Sequence, residues 1–377
     1  MKFIFASDSF KGSLSSERIV SLLSLALKKC MPSAESIGLW IADGGEGTTD
    51  AVVYSLKGEK RKVRVHDPLG REILAEYGIL DADTAILEMA SASGLPLLKE
   101  EERDPLLTST YGTGELIREV LQQGYRKVFI AIGGSATNDG GMGALRALGV
   151  RFYDRNHREL PCRGMDLKEI AVIDDSGLIK EIKDSEFVVL SDVTNPLCGP
   201  LGATYTFGRQ KGADDDRLQM LEAGMCHYRD LLTEKYGINV DEIPGGGAAG
   251  GLGTALRVFL NAKMQRGIET LLDLLSFDEL LKDADYVISG EGRTDAQSSY
   301  GKVLQGVGDR AYKQGVKVID LCGCLADGYE EIYQHGVTKI LTTMKEGMEL
   351  SYAMEHAEEL YLKAAEEMFE EIKNGRI

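Results

Sequence analysis

Polar, glycine-rich loops hold most of the side chains in this sequence that are suited to chemistry. Each loop follows a short apolar segment and precedes a helical pattern, and they lie at residues 7–13, 42–48, 133–141, 191–196 and 290–295. In parallel α/β sheets, ligands bind beyond the carboxyl ends of the strands, where such loops meet. Their carboxylates, cationic side chains and helix N-termini favour phosphoryl transfer, in which a protein mainly positions its substrates and stabilises charge.

The same loops also have an ordinary structural interpretation. A Gly-Gly pair is commonly a turn, and an Asp beside a Gly is commonly a turn residue or a helix cap. The functional interpretation rests on three other properties. Glycine lets the backbone approach a phosphate, helix N-termini favour anions, and Mg²⁺ needs only one or two protein carboxylates. One such loop would not decide between the two interpretations, but five at strand ends favour function.

The densest glycine run spans residues 244–253 and contains a G-x-G-x-x-G match at Gly245, Gly247 and Gly250. This motif indicates dinucleotide binding only where it follows a strand. The residues before it, 241–244, do not form a strand pattern. We therefore predict a loop that covers phosphate or a turn between domains.

Two common catalytic motifs are absent from the sequence. Gly301-Lys302 is followed by Val303, and no glycine stands five residues before Gly301, so there is no Walker A motif. No G-x-S-x-G elbow is present, which argues against a serine hydrolase. The five histidines show no metal-ligand spacing.

Charge and cysteine usage narrow the function further. A formal net charge of −17 argues against nucleic acid and anionic membranes as partners, because both require a basic surface. The six cysteines form no C-x-x-C pair and are predicted to be reduced. The first residues resemble a strand rather than a signal peptide, and no apolar run approaches about 18 residues. We predict a cytoplasmic protein that is a monomer or a homodimer.

The hydrophobic pattern predicts the α/β class. Near-continuous apolar segments alternate with helical patterns, which is typical of a parallel, helix-covered sheet. Helices are predicted at residues 16–29 and 351–373, and antiparallel strands between residues 62 and 88 with a turn at 67–70.

The 377 residues are too many for one ordinary core, so we expect two domains. Residues 1–62 and 280–377 are predicted to form a discontinuous, Rossmann-like domain with a parallel sheet. Residues 63–279 are predicted to form an inserted second α/β domain with a mixed sheet.

Taken together, these loops resemble the bacterial type I glycerate kinase family, which is unrelated to P-loop kinases. The similarity extends over almost the whole chain in the family's order. Gly246 stands where the family usually has alanine, and Val303 where a proline-containing turn often follows. The matching stretches are residues 8–14, 42–48, 132–141, 192–197, 244–253 and 290–302.

The resemblance implies ATP-dependent, Mg²⁺-assisted phosphorylation of D-glycerate to phosphoglycerate in a cleft between two domains. Together with the loop chemistry, it suggests Asp192 as the carboxylate that accepts the hydroxyl proton, with Asp8 as second choice. Lys11 and Arg293 are predicted to neutralise charge on glycerate or on the transferring phosphoryl group. Asp192 and Asp295 are the predicted Mg²⁺ ligands.

The remaining predicted site residues fall into two groups. Those expected to contact the nucleotide are Gly133, Gly134, Ser135, Gly245, Gly246, Gly247, Gly250 and Lys302. Those expected to contact the substrate are Asp43, Glu46, Asn138, Asp139, Glu291 and Asp295.

Three other functions are compatible with the sequence. The G-x-G-x-x-G match allows an NAD-dependent hydroxy-acid dehydrogenase, although the strand before it is missing. A sensor that binds a small acid or nucleotide without turnover would use the same loops. A kinase of another short hydroxy acid is also possible, and the sequence leaves 2- against 3-phosphorylation open.

Overall fold

The computed structural model describes residues 1–42, 45, 47–299 and 301–377. Contacts divide the chain into a first unit, Met1–Asp43 with Asp50–Lys57 and Gly267–Ile377, and a second unit, Gly44–Thr49 with Gly58–Arg266. Apart from residues 44–49, the chain thus passes from the first unit to the second at Gly58 and returns to the first at Gly267. The domain boundaries predicted from the sequence are at 62/63 and 279/280. Those two boundaries stay predictions for domains that fold independently.

Strands occur throughout the described residues. They are β1 (Lys2–Phe5), β2 (Glu35–Gly38), β3 (Glu59–His66), β4 (Glu72–Ile79), β5 (Thr84–Glu88), β6 (Lys127–Ala131), β7 (Arg151–Tyr153), β8 (Val172–Asp174), β9 (Glu186–Leu190), β10 (Lys263–Gln265), β11 (Tyr286–Ser289), β12 (Arg293–Thr294), β13 (Lys317–Cys322), β14 (Cys324–Leu325) and β15 (Val337–Thr342).

The α-helices alternate with these strands, and short 3₁₀ helices occur in the connections. The α-helices are α1 (Ser16–Cys30), α2 (Thr48–Ser55), α3 (Ala90–Ser93), α4 (Tyr111–Gln122), α5 (Met142–Ala147), α6 (Ala203–Phe207), α7 (Asp215–Tyr236), α8 (Leu252–Leu260), α9 (Gly267–Leu274), α10 (Phe277–Leu281), α11 (Val303–Lys313), α12 (Leu350–Glu355) and α13 (Ala357–Lys373).

The first unit contains an entirely parallel five-stranded sheet in the order β15-β13-β11-β1-β2. Helix α1 begins after Ser15, whose hydroxyl accepts a hydrogen bond from the Arg18 amide. Its apolar face packs on the sheet together with α13, where Phe369 contacts the rings of Phe3 and Phe5. The predicted helix at 16–29 is confirmed.

The carboxyl-terminal helical pattern is interrupted once. The sequence predicts one helix over residues 351–373, but α12 ends at Glu355 and α13 begins at Ala357. His356 between them has φ −105° and ψ 20°, outside helical geometry. The single long helix was therefore wrong, although the apolar spacing of α13 and its docking on the sheet are as expected.

The second unit contains a mixed six-stranded sheet in the order β10-β9-β6-β5-β4-β3. Strands β3, β4 and β5 pair antiparallel, while β5, β6, β9 and β10 pair parallel. The turn between β3 and β4 is closed by the Gly70 amide, which donates to the Asp67 carbonyl at 3.0 Å. The predicted α/β class, with one parallel and one mixed sheet, is confirmed.

Among the described residues, no helix combines the length and the apolar character needed to cross a membrane.

Helices α4 and α5 approach each other closely at a glycine. A methyl group on Gly114 would lie 2.2 Å from the Ala144 carbonyl oxygen, so the two backbones would have to separate. We expect Gly114→Ala to lower the free energy of unfolding by about 1–3 kcal/mol through overpacking, although alanine is the better helix former. Urea denaturation measures the change. Gln122→Ala on the exposed side of α4 is the matched control, and equal stability of both variants would contradict this packing argument.

Candidate active site

Four neighbouring parallel strands of the first unit end at one edge of its sheet. The loops that follow β1, β11, β13 and β15 line a cavity of about 470 Å³. The sequence places charged side chains in the first two of these loops and at the start of α11. The charged residues that line the cavity are Asp8, Lys11, Glu291, Arg293, Asp295 and Lys302.

Two of the three cations in the cavity are paired with its carboxylates. The Arg293 Nε lies 3.0 Å from an Asp295 oxygen, and the Lys302 Nζ lies 3.3 Å from a Glu291 oxygen. The Lys11 side chain is exposed at the cavity. The arrangement offers carboxylate oxygens and ammonium or guanidinium groups to one ligand, which suits an anion that carries hydroxyl groups or a cation.

Local hydrogen bonds fix the backbone that presents these side chains. The Asp8 amide donates to the Gly290 carbonyl at 2.9 Å, which joins the loops after β1 and β11. The Asp295 carboxylate accepts the Gln297 amide at 2.9 Å, and the Ser298 hydroxyl accepts the Asp295 amide at 3.0 Å. The loop 290–295 is therefore held at Gly290 by the Asp8 backbone and at Asp295 by hydrogen bonds with Gln297 and Ser298.

Asp320 lies next to the loop 290–295 and was not identified from the sequence. It is in β13, is fully buried, and accepts a hydrogen bond from the Thr294 hydroxyl at 2.9 Å. Its Oδ1 and the Glu291 Oε1 are buried without hydrogen-bond partners among the described residues. Burial raises the pKa of the Asp320 carboxyl to about 8, and the nearby Glu291 charge acts in the same direction. An acidic residue inside an apolar strand was the signal that could have revealed it.

The raised pKa of Asp320 makes stability depend on pH. Between the ordinary pKa near 3.8 and about 8, the folded protein keeps a proton that the unfolded chain has lost. The contribution of Asp320 to the free energy of unfolding is therefore at its maximum at low pH. It falls by up to about 1.4 kcal/mol per pH unit towards pH 8. We expect Asp320→Asn to remove this decline. From pH 5 to pH 8, the free energy of unfolding of the variant should therefore increase relative to that of the wild type. Parallel profiles in urea denaturation would contradict the assignment.

In the second unit, the loop 133–141 is organised by a buried carboxylate. Asp139 is fully buried and accepts hydrogen bonds from the Thr110 amide at 2.7 Å and hydroxyl at 2.8 Å, and from the amides of Gly141 at 3.0 Å and Gly143 at 3.2 Å. Burial raises its pKa against the effect of these bonds. The carboxylate thus holds the N-terminal ends of α4 and α5 together. Its contact with substrate stays a prediction.

Two further buried polar residues hold this loop: Asn138 belongs to it, and Lys211 contacts it from outside. The Asn138 amide donates to the Thr204 hydroxyl at 3.1 Å, and Asn138 is fully buried. Lys211, which sequence reasoning missed, is buried and donates from Nζ to the Thr137 carbonyl at 2.7 Å. Burial lowers the Lys211 pKa to about 7. A single lysine between glycines and polar residues gave no sequence signal for such burial.

The glycine run of residues 244–253 packs against two other predicted site loops. A methyl group on Gly247 would lie 2.1 Å from the Pro196 carbonyl oxygen, and one on Gly250 would lie 2.1 Å from that of Thr137. Gly250 also has φ +66°, a conformation that favours glycine. These glycines are required by close approach within the second unit, and their contact with a nucleotide stays a prediction.

The remaining predicted site residues lie in the loops after β6 and β9 or outside the described residues. Gly133, Gly134 and Ser135 follow β6, and Asp192 is exposed in the loop after β9. Asp43 and Glu46 lie outside the described residues.

Glu88, at the end of β5, accepts hydrogen bonds from the amides of Gly47 at 3.2 Å and Thr49 at 2.6 Å. Glu88 was also missed, because an acidic residue at a strand end is common.

The structure therefore brings six predicted residues into one cavity of the first unit. These are Asp8, Lys11, Glu291, Arg293, Asp295 and Lys302. In the second unit it joins the loop 133–141, the loop after β9 and the glycine run through the Gly140 and Gly247 amides, which donate to the carbonyls of Gly250 and Asn195 at 2.9 and 3.0 Å.

Comparison with known proteins gives consistent matches over almost the full chain. Residues 3–373 match the model of the glycerate kinase family. The chain is 42% identical over 363 residues to a glycerate kinase of Halalkalibacterium halodurans, with 96% of each chain covered. It is 41% identical over 345 residues to glycerate 2-kinase of Escherichia coli, with 91% of each covered. A glycerate kinase 2 structure from Salmonella typhimurium LT2 has a TM-score of 0.89 at 39% identity, with 100% of this chain and 99% of that chain covered.

Proposed function

Because the chain belongs to the glycerate kinase family, we propose that it transfers the γ-phosphoryl group of ATP, with Mg²⁺, to a hydroxyl of D-glycerate. Family membership makes it a phosphotransferase that acts on a small molecule. The choice of ATP and Mg²⁺ and the roles of individual residues are parts of this proposal.

The observation that carries the proposal is the charged cavity of the first unit. A chain of net charge −17 concentrates Lys11, Arg293 and Lys302 in a cavity of about 470 Å³. Glycerate carries a carboxylate, and the transferring phosphoryl group carries spread negative charge on its oxygens. Cationic side chains held in one place by strand ends stabilise that charge without reorganising during the reaction.

The carboxylates around this cavity fit a hard cation. Mg²⁺ prefers oxygen ligands and keeps several waters, so it needs few protein groups. Asp295 lines the cavity, and Glu291 beside it has a buried Oε1 without a partner in the described part of the chain. Asp192, exposed after β9, is the other ligand proposed from the sequence. When bound, the ion would neutralise part of the negative charge on the phosphate oxygens.

Roles in binding and proton transfer are proposed for the protein's own groups. Lys11 and Arg293 bind the carboxylate of glycerate or the transferring phosphoryl oxygens. Asp192 is proposed to accept the hydroxyl proton, with Asp8 as the alternative. Asp8 shares its cavity with Lys11, and the Gly290 carbonyl holds its backbone, so its position also suits orienting a substrate hydroxyl.

An ADP-release assay with ATP, Mg²⁺ and D-glycerate tests the proposal. ADP formation that requires glycerate is the expected result. Phosphorus NMR of the product distinguishes the two hydroxyls, and the name of the Escherichia coli relative leads us to expect 2-phosphoglycerate. Turnover with another short hydroxy acid but with neither glycerate enantiomer would overturn the substrate assignment. Ligand binding without turnover would indicate a sensor instead.

A further inference from the structure

Two cysteines and a glutamate form a compact cluster in the second unit. Cys198 lies in the loop after β9, and Glu222 and Cys226 lie one turn apart on α7. Residues four apart on a helix share a face. The two sulfur atoms and a carboxylate oxygen all lie within 4.8 Å of one another.

The glutamate of this cluster is incompletely satisfied. Glu222 is 8% exposed, and one of its oxygens accepts a hydrogen bond from the Gly199 amide at 2.6 Å and lies 3.6 Å from the Cys226 sulfur. Its Oε2 is buried without a partner among the described residues. A buried acceptor without a partner is destabilising, so a ligand that satisfied this oxygen would stabilise the site.

The two cysteines are suited to holding a cation beside this carboxylate. Cys198 is buried and Cys226 is partly exposed, so an ion could reach the cluster from the Cys226 side. Burial raises the pKa of both thiols, which are therefore neutral until a cation displaces their protons. A pair of thiolates with one carboxylate is a donor set for a borderline-soft ion, unlike the oxygen donors that Mg²⁺ selects.

We propose that Cys198, Glu222 and Cys226 bind one Zn²⁺ ion, with water as the fourth ligand. Each thiol releases its proton to solvent as its sulfur binds, and the Glu222 carboxylate binds through one oxygen. Tetrahedral zinc with these ligands requires donor atoms about 3.6–3.8 Å apart, and the three donor atoms here lie within 4.8 Å of one another. The site is independent of the proposed phosphoryl transfer.

Zinc in this site would connect two parts of the second unit. Cys198 belongs to the connection between β9 and α6, which also contains Asp192, and the other two ligands belong to the 22-residue helix α7. An ion shared between them would restrain that connection. Because the ion binds the folded state and no preformed site exists in the unfolded chain, it should also raise the Tm.

Zinc titration of the full-length, metal-free protein against a chromophoric chelator tests the proposal. We expect one Zn²⁺ per chain, and at least about tenfold weaker binding for Cys226→Ser and Glu222→Gln. Glu222→Gln keeps an oxygen for the Gly199 amide, so it should fold normally. Cys30→Ser removes a buried thiol at the end of α1 and is the matched control, with unchanged zinc binding.

Cobalt substitution gives a second, spectroscopic measurement of the ligands. Co²⁺ in the wild-type protein should show thiolate-to-metal charge-transfer absorption, and Cys226→Ser should lose part of it. Equal zinc affinity of wild type and Cys226→Ser would overturn the proposal, and so would cobalt binding without thiolate absorption. A Cys198–Cys226 disulfide in protein purified under reducing conditions would overturn it as well.

Discussion

Lys11→Met is expected to lower kcat/KM for phosphoryl transfer to glycerate by about 10²–10³-fold, the usual cost of removing one group that stabilises transition-state charge. Lys11 lies in the loop after β1 and lines the charged cavity, and its side chain is exposed. Methionine has a similar length without the ammonium group. Steady-state kinetics with varied glycerate measures the effect.

The Tm of Lys11→Met should remain that of the wild type, because an exposed side chain is removed without creating a cavity. Lys28→Met provides the matched control, since Lys28 is an exposed lysine on α1 that does not line the cavity. It should leave both kcat/KM and Tm unchanged. Near-normal turnover of Lys11→Met would exclude Lys11 from the mechanism.

Asp139→Ala is expected to lower the free energy of unfolding by about 3–5 kcal/mol, as when one member of a buried polar network is deleted. The substitution leaves the amides of Thr110, Gly141 and Gly143 without their acceptor. Each of these donors is at the N-terminal end of α4 or α5, where the helix itself offers no partner. Urea denaturation followed by circular dichroism measures the loss.

A graded series makes this prediction independent of whether Asp139→Ala folds. Asp139→Asn should be less destabilising, because its oxygen can still accept from Thr110 while its amide faces the Gly141 N–H. Asp184→Ala, at an exposed position, is the control and should have little effect. If Asp139→Asn and the control were equally stable, the buried carboxylate would not be what holds the loop 133–141.

Much of the fold was determined by local patterns in the sequence. The apolar segments that became β1, β6, β9 and β13 are short and nearly continuous, as expected of strands covered by helices on both faces. The glycine-rich and acidic loops after them are local as well. Family resemblance could therefore be read from these segments, and the comparisons confirmed it.

The sequence also predicted part of the cavity in the first unit. Asp8, Glu291 and Arg293 were expected at strand ends, and the parallel order β13-β11-β1 places those ends at one edge. The contribution of β13 and β15 was not anticipated. Their loops add uncharged residues such as Gly323 and Thr343, which carry no recognisable motif.

Burial was decided only by the tertiary structure. Asp139 and Asp320 look like other acidic residues in the sequence, yet both are fully buried. Their environments come from distant segments: Thr110 is 29 residues from Asp139, and Thr294 is 26 residues from Asp320. The chain by itself determined which residue types follow each strand, because that pattern is local. Which carboxylates face a cavity and which are enclosed depended on the packing of elements far apart in sequence, because desolvation is a property of the assembled surroundings.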